Sequence, residues 1–128
     1  MLPRLSNVPQ LNNVVSDYLS ELQKQHFEGD IASNYADRLS LSTDNSVYQQ
    51  LPQAILFPKS LADVVRITKL ANKEKYLHLT FTPRGGGTGT NGQSINNNII
   101  VDLSRHMTGI LELNIEERWV RVQAGVVK

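Results

Sequence analysis

Between an alternating apolar stretch that ends at Thr82 and a β-branched run that begins at Ile99, the chain reads Pro83-Arg84-Gly85-Gly86-Gly87-Thr88-Gly89-Thr90-Asn91-Gly92. So many glycines cannot form the interior of a helix or a strand, because glycine loses the most freedom on ordering and has no side chain to pack. The segment must be a loop, set directly after a strand. Successive glycines can take positive φ, which turns consecutive main-chain N–H groups to one side and makes an anion-binding nest. Without Cβ atoms, a bulky phosphate can also come against the main chain. Thr88 and Thr90 add hydroxyl donors, Asn91 an amide donor, and Arg84 a fixed positive charge at the rim. These parts suit a diphosphate; a flexible turn without a ligand is the other reading of the same composition.

The familiar phosphate motifs do not fit. There is no Gly-Lys-Ser/Thr, so the lysine and magnesium ligand of a Walker A loop are missing. Gly87, Gly89 and Gly92 spell G-x-G-x-x-G, but that fingerprint must open a helix. Here Gln93-Ser94-Ile95-Asn96-Asn97-Asn98 leads into another strand instead. Glu112 stands at the nominal acidic spacing, yet it falls in a ribbon and reads as a solvated strand residue.

The rest of the chain frames this loop as α+β. Leu11, Val14, Val15, Tyr18, Leu19 and Leu22 make one apolar stripe, which predicts an amphipathic helix over about residues 9–27 with Gly29 as its stop. Residues 30–53 are polar and irregular, with Tyr35, Leu39, Leu41, Val47 and Tyr48 as isolated anchors. Ala54-Ile55-Leu56-Phe57, closed by Pro58, reads as a buried strand. Ser60 and Asp63 suggest a capping box for a helix whose buried stripe is Leu61, Val64, Val65, Thr68 and Ala71, with Lys73 and Lys75 at the negative end of its dipole. A second strand is predicted over residues 76–82, giving a parallel βαβ unit. Residues 99–103 form another strand. Residues 111–115 and 119–124 form an antiparallel ribbon around a solvated Glu116-Glu117 corner.

Composition sets the outer limits. With 128 residues and 40% hydrophobic side chains, the chain can build one modest core. Thirteen Lys plus Arg against 12 Asp plus Glu leave a net charge of +1, no footprint for nucleic acid or an anionic membrane. The absence of Cys excludes disulfides, Cys-ligated zinc, iron–sulfur clusters and a thiol nucleophile within these residues. No apolar run approaches the ~20 residues of a membrane span. Residues 1–10 lack the basic and apolar pattern of a secretory leader, and Met1 reads as a start. A soluble, cytoplasmic protein is expected. His26, His78 and His106 lie far apart with no carboxylate at ligand spacing, so no metal site is expected. His78 is expected on the less apolar face of its strand, and His106 in a solvated loop. Asn96, Asn97 and Asn98 read as a turn, and Trp119 as either a packing anchor or a partly buried aromatic.

Several of these pieces, taken in order, carry a resemblance. Residues 52–126 resemble the N-terminal part of the PCMH-type FAD-binding domain of the vanillyl-alcohol-oxidase kind. Pro-x-Ala-Ile-x-x-Pro at 52–58 is similar to its first strand, residues 60–71 to its first helix, and residues 83–92 to its pyrophosphate loop. Asp102-Leu103-Ser104-Arg105-x-Met107 is similar to the segment after that loop, and Val122-Gln123-Ala124-Gly125-Val126 to the strand that follows. Upstream, Ala36-Asp37-Arg38 and Ser42-Thr43-Asp44-Asn45-Ser46-x-Tyr48 resemble the lead-in of the glycolate and D-lactate oxidoreductase branch. The wording is similar to large bacterial FAD-linked oxidases that continue into a cysteine-rich iron–sulfur half.

The resemblance implies a domain organisation and a site. Residues 1–51 would be an N-terminal helix and lead-in, and 52–128 an incomplete FAD-binding domain that continues past Lys128 into another helix. Gly85, Gly86, Gly87, Thr88, Gly89 and Thr90 would hold the FAD pyrophosphate, with Arg84 shaping the loop, Asn91 and Gly92 lining the turn, and Ser94 a weaker contact. Relatives that bind flavin covalently use a His that falls at Thr88, so FAD is expected to be non-covalent. The implied reaction is oxidation of a D-2-hydroxy acid (D-lactate, glycolate or D-2-hydroxyglutarate type) to the 2-oxo acid. Neither the base nor the carboxylate-binding cation is found in these residues, so no catalytic residue is assigned. An iron–sulfur cluster would belong to the remainder of the longer protein, which is expected in the cytoplasm or peripheral to the inner membrane. Self-association of the piece alone is also allowed. Two alternatives stand: a flavin or nucleotide module of another branch, such as the cell-wall-precursor reductases, and a structural piece that binds nothing. The lead-in favours the hydroxy-acid branch over the reductases.

Overall fold

Ile99-Ile100-Val101-Asp102 is buried at every position, and this sets the sheet, since a strand apolar on both faces must have layers on both sides. In the computed structural model, which describes residues 9–127, that run is an inner strand of a four-stranded sheet. The elements in chain order are α1 (Asn13–Lys24), β1 (Asp30–Ala32), α2 (Tyr35–Ser40), β2 (Ala54–Phe57) and α3 (Leu61–Ala71). A short 3₁₀ turn (Glu74–Tyr76), β3 (Phe81–Arg84), β4 (Ile99–Asp102), β5 (Ile110–Asn114) and β6 (Trp119–Val122) complete them. The sheet order is β1-β2-β4-β3, and β5 and β6 pair as a separate antiparallel ribbon. The fold is therefore α+β, as expected. The leader pattern looked for over residues 1–10 concerns mostly residues that lie outside the described ones. Among the described residues no helix is long and apolar enough to cross a membrane.

β2 and β3 run parallel, but not side by side: β4 lies between them and is parallel to both. β3 is thus an edge strand, which is why it tolerates Pro83. The second strand begins at Phe81 and not at Tyr76. Residues 76–80 instead turn through the 3₁₀ segment, where Tyr76 and Leu79 are buried and Leu77 and His78 face out. Their apolar spacing is i, i+3, the repeat of a 3₁₀ turn and not of a strand.

α1 packs Val15, Tyr18, Leu19 and Leu22 into one core with Leu56, Ile67, Leu70, Ile99 and Val101. Each such side chain contributes about 1.5–3 kcal/mol by burial. The Tyr18 hydroxyl donates to the Ile67 carbonyl of α3 at 2.9 Å, and its ring meets Tyr76 edge-on at 5.1 Å. α1 is shorter than predicted. Asn12 caps it by accepting from the Val14 N–H, and it ends where His26 takes a left-handed φ of 58°. Gly29 serves a different purpose, since a Cβ there would overlap the Phe57 carbonyl and the Phe27 ring.

α3 turns a different face inward from the predicted one. Asp63, Ile67 and Leu70 are buried, Val64 and Ala71 half-buried, and Leu61, Val65 and Thr68 exposed. The capping is also modified: Ser60 accepts from the Asp63 N–H, but the Asp63 carboxylate reaches back to the N–H groups of Lys59 and Glu28. Lys73 and Lys75 do not serve the α3 dipole alone; both pair with Glu21 of α1, the latter at 2.7 Å.

The stretch read as irregular contains β1, antiparallel to β2, and α2. The Arg38 guanidinium of α2 is buried and donates to the carbonyls of Pro52 at 2.7 Å and Pro9 at 2.8 Å, fixing the approach to β2. Burial lowers its pKa. Asn96 is more than a turn residue. Its buried amide donates to Thr82 Oγ1 at 2.7 Å and to the Ile99 carbonyl at 3.1 Å, tying the end of the glycine-rich loop to β3. Gly125 lets the chain after β6 press on the Leu103 carbonyl, where any Cβ would overlap.

Candidate functional site

The glycine-rich loop leaves the carboxyl end of β3 and returns to the start of β4 without an intervening helix, so it is not a Rossmann turn. It borders a concavity of about 500 Å³ lined by Pro83, Gly85, Gly86, Gly87, Thr88, Gly89, Thr90, Gln93 and Ser94. No titratable side chain is in that lining. Among the described residues, no main-chain N–H from Gly85 through Thr90 donates to a protein acceptor. Unpaired main-chain donors in series are the requirement of an anion cradle.

The glycines divide by what a side chain would meet. A Cβ on Gly85 would have no neighbour within 4 Å, and one on Gly86 would meet only Thr88 Cγ2 at 3.6 Å. The protein itself does not demand glycine at either position; a ligand lying on the main chain would. Gly87 is different. Its φ is +65°, and a Cβ would overlap the Arg84 guanidinium. Arg84 therefore lies against the turn at Gly87, with its Nη1 donating to the Ser94 carbonyl at 3.4 Å, and supports the loop as well as charging it. The residues present fit a diphosphate.

Of the ten residues singled out in the sequence, Gly85, Gly86, Gly87, Thr88, Gly89, Thr90 and Ser94 share this concavity, and Arg84, Asn91 and Gly92 stand outside its lining. The Ser94 hydroxyl donates to Asp44 at 3.1 Å. Asn91 spends its main-chain N–H on Gln93 Oε1 at 3.0 Å. Pro83 and Gln93 complete the lining without having been singled out as site residues; an amide in a Gly/Asn-rich loop carries no signal of its own.

A second depression of about 370 Å³ shares Gly85 and Gly86 and is completed by Leu41, Phe57, Arg84, Asp102, Ser104 and Arg105. The Arg105 guanidinium lies over the Phe57 ring at 3.4 Å. Beside it, His106 Nε2 meets Asp30 Oδ2 at 2.6 Å, with Lys59 3.5 Å from the other oxygen. The His106 contact, aided by Lys59, holds the Asp30 carboxyl below its ordinary range. His106 is thus half-buried and paired, not a free loop histidine. An apolar cleft of about 430 Å³ between α3 and β3–β4 has only Thr68 and Asn72 as polar lining.

Residues 52–127 match the protein family described as FAD binding domain. Over all 128 residues the chain is 79% identical to a D-2-hydroxyglutarate dehydrogenase of Haemophilus influenzae, of which it covers 12%. It is 59% identical, again over its whole length, to the D-2-hydroxyglutarate dehydrogenase of Escherichia coli, of which it covers 13%. The chain thus spans only about an eighth of the length of these relatives. Among solved structures, an alkyldihydroxyacetonephosphate synthase superposes with a TM-score of 0.75 at 19% identity, over 94% of this chain and 25% of that one. That likeness shows the shared fold.

Proposed function

The chain belongs to the FAD binding domain family, and on that premise we propose that residues 85–90 hold the diphosphate of FAD in a longer oxidoreductase acting on a D-2-hydroxy acid. The observation that carries this reading is the row of unpaired main-chain N–H groups beside two glycines, Gly85 and Gly86, whose missing side chains the protein would have room for. Thr88 and Thr90 stand in the same lining with hydroxyl donors. Residues 52–128 form the incomplete FAD-binding domain, and residues 1–51 its lead-in. FAD, when bound, supplies the acceptor for the hydride removed from the substrate.

The groups that take the hydroxyl proton and hold the substrate carboxylate are read, from the family resemblance, as belonging to the rest of the longer protein; the glycine-lined concavity itself offers no titratable side chain. Thr88, and the absence of Cys, favour non-covalent FAD. Any iron–sulfur centre must be ligated outside these residues. We place the longer protein in the cytoplasm, peripheral at most to the inner membrane. The substrate class read here is narrowest for D-2-hydroxyglutarate, the name carried by both relatives described above, each matched along the whole chain.

The test uses the full-length protein. Gly86→Val should weaken FAD binding at least ~100-fold, about 2.7 kcal/mol, by filling the cradle with a β-branched side chain; unchanged affinity contradicts the reading. Denaturation should release all flavin into the supernatant. Anaerobic addition of D-2-hydroxyglutarate, and not its L enantiomer, should bleach the bound flavin. A flavin that stays oxidised with every D-2-hydroxy acid tried would refute the substrate class.

A further inference from the structure

The lead-in loop of residues 42–50 touches the glycine-rich turn without entering the lining of the concavity. It is closed on itself by the Thr43–Gln49 bridge and by the Gln50 N–H donating to the Ser42 carbonyl at 2.9 Å. Inside it, the Asp44 carboxylate accepts from the Ser46 N–H at 2.8 Å. Three contacts then reach across. The Asn45 N–H donates to the Gly89 carbonyl at 3.1 Å, the Ser94 hydroxyl donates to Asp44 at 3.1 Å, and Tyr48 lies so close to Gly92 that an added Cβ would stand 3.1 Å from its ring. None of Asp44, Asn45 or Tyr48 lines the concavity.

The Gly89 contact has a consequence for the donors. In a planar trans peptide the carbonyl and the following N–H point in opposite directions. Drawing the Gly89 carbonyl toward Asn45 therefore turns the Thr90 N–H away from the lead-in, and that N–H has no protein acceptor among the described residues. A loop this rich in glycine would otherwise sample many peptide orientations, and ordering it on binding would reduce affinity.

We propose that residues 42–50 are a clamp that preorganises the diphosphate turn, with Asp44, Asn45 and Tyr48 as positioning residues that never touch the ligand. The proposal rests on the FAD reading of the turn and deepens it. It makes a prediction opposite in sign to simple electrostatics. Asp44 is an acid within one hydrogen bond of a residue lining the anion site, so removing its charge should by Coulomb's law tighten binding of a diphosphate. The clamp requires the reverse when the contact is lost.

The experiment measures FAD dissociation constants and apo-protein melting temperatures for the full-length protein and four variants. Asp44→Ala and Tyr48→Ala should each weaken FAD about tenfold, the scale of one lost contact, while the apo melting temperature stays unchanged. Asp44→Asn keeps an oxygen for Ser46 and a hydrogen-bonding partner for Ser94, and should bind FAD at least as well as the natural protein. Gly86→Val is the control for the turn itself. If Gly86→Val abolishes binding while Asp44→Ala and Tyr48→Ala leave it unchanged, the clamp is wrong and the FAD site stands. Tighter binding by Asp44→Ala, or affinity that falls only in step with apo stability, also overturns the clamp. Undiminished binding by Gly86→Val overturns the FAD reading and the clamp with it.

Discussion

Gly85 and Gly87 stand two residues apart in one loop and are glycine for different reasons. At Gly85 the protein leaves open space, so the constraint comes from outside the chain. At Gly87 it comes from inside: φ is +65° and the Arg84 guanidinium occupies the place of a Cβ. An L residue in the left-handed region is disfavoured by roughly 1–2 kcal/mol. Gly87→Ala should therefore lower the apo-protein's stability to denaturant by at least that amount, while Gly85→Ala should stay within about 0.5 kcal/mol of the natural protein. Equal losses in the two variants would refute the distinction. The composition of this loop made its form legible in the sequence, because so many glycines after a strand leave room for neither helix nor strand. Its supports were not legible. Asp44 and Ser94 meet across 50 positions of chain, and local pattern cannot report a contact at that separation.

At the scale of elements, α1 is joined to the region after α3 by a small charged cluster. Glu21 accepts from the Tyr76 hydroxyl at 2.9 Å and pairs with Lys73 and Lys75. The hydrogen bonds from Lys73, then Lys75 and Tyr76, lower the Glu21 carboxyl from 4.5 to about 2. A carboxyl lowered in the folded state stabilises fully above its unfolded value and loses that contribution as pH falls toward the folded one. The stability difference between the natural protein and Glu21→Gln should thus be constant above pH ~5 and shrink steadily below it. It should be modest and weaken with salt, because both lysines are about half exposed. A difference independent of pH from neutrality down to strong acid would show that the carboxylate's charge is not what joins the elements. α1, β2, α3 and β4 were legible as elements because each has a clear period or an unbroken apolar run. The inward face of α3 was not: apolar residues occupy most of its circumference, and the side that turns in, with Ile67 and Leu70, is the one that packs on α1 and the sheet, contacts distant in sequence. β1, three residues long, has no pattern of its own and exists through its pairing with β2.

For the whole molecule, the β5–β6 ribbon is the part whose energetics are incomplete. One face carries Glu112, Asn114, Trp119 and Arg121, with Arg121 bonded to Glu112 at 2.7 Å and the Trp119 indole to Glu117 at 2.6 Å. The other carries Ile110 and Leu113, exposed by 69% and 66%, opposite Val122 and Val120, with the exposed Leu111 at the bulge between Ile110 and Glu112. A two-stranded ribbon is marginal in water unless its apolar face is covered. Its base is held where Gly109 and Gln123 bond reciprocally, the Gln123 N–H to the Gly109 carbonyl and the Gly109 N–H to Gln123 Oε1, both at 2.8 Å, and where the Gly125 N–H donates to the Met107 carbonyl at 2.8 Å. The isolated 128-residue chain should therefore self-associate through this face, giving a light-scattering mass above the 14.3 kDa monomer that rises with concentration. Leu113→Lys should return it to the monomer mass, since a charge opposite Val120 cannot be buried between two such faces. In the longer protein the same substitution should read out differently. If additional chain covers the ribbon there, Leu113→Lys should lower the melting temperature without changing the oligomeric mass. A natural 128-residue chain that stays monomeric at high micromolar concentration would show that the exposed face is not adhesive, and the role given to the ribbon would fall with it.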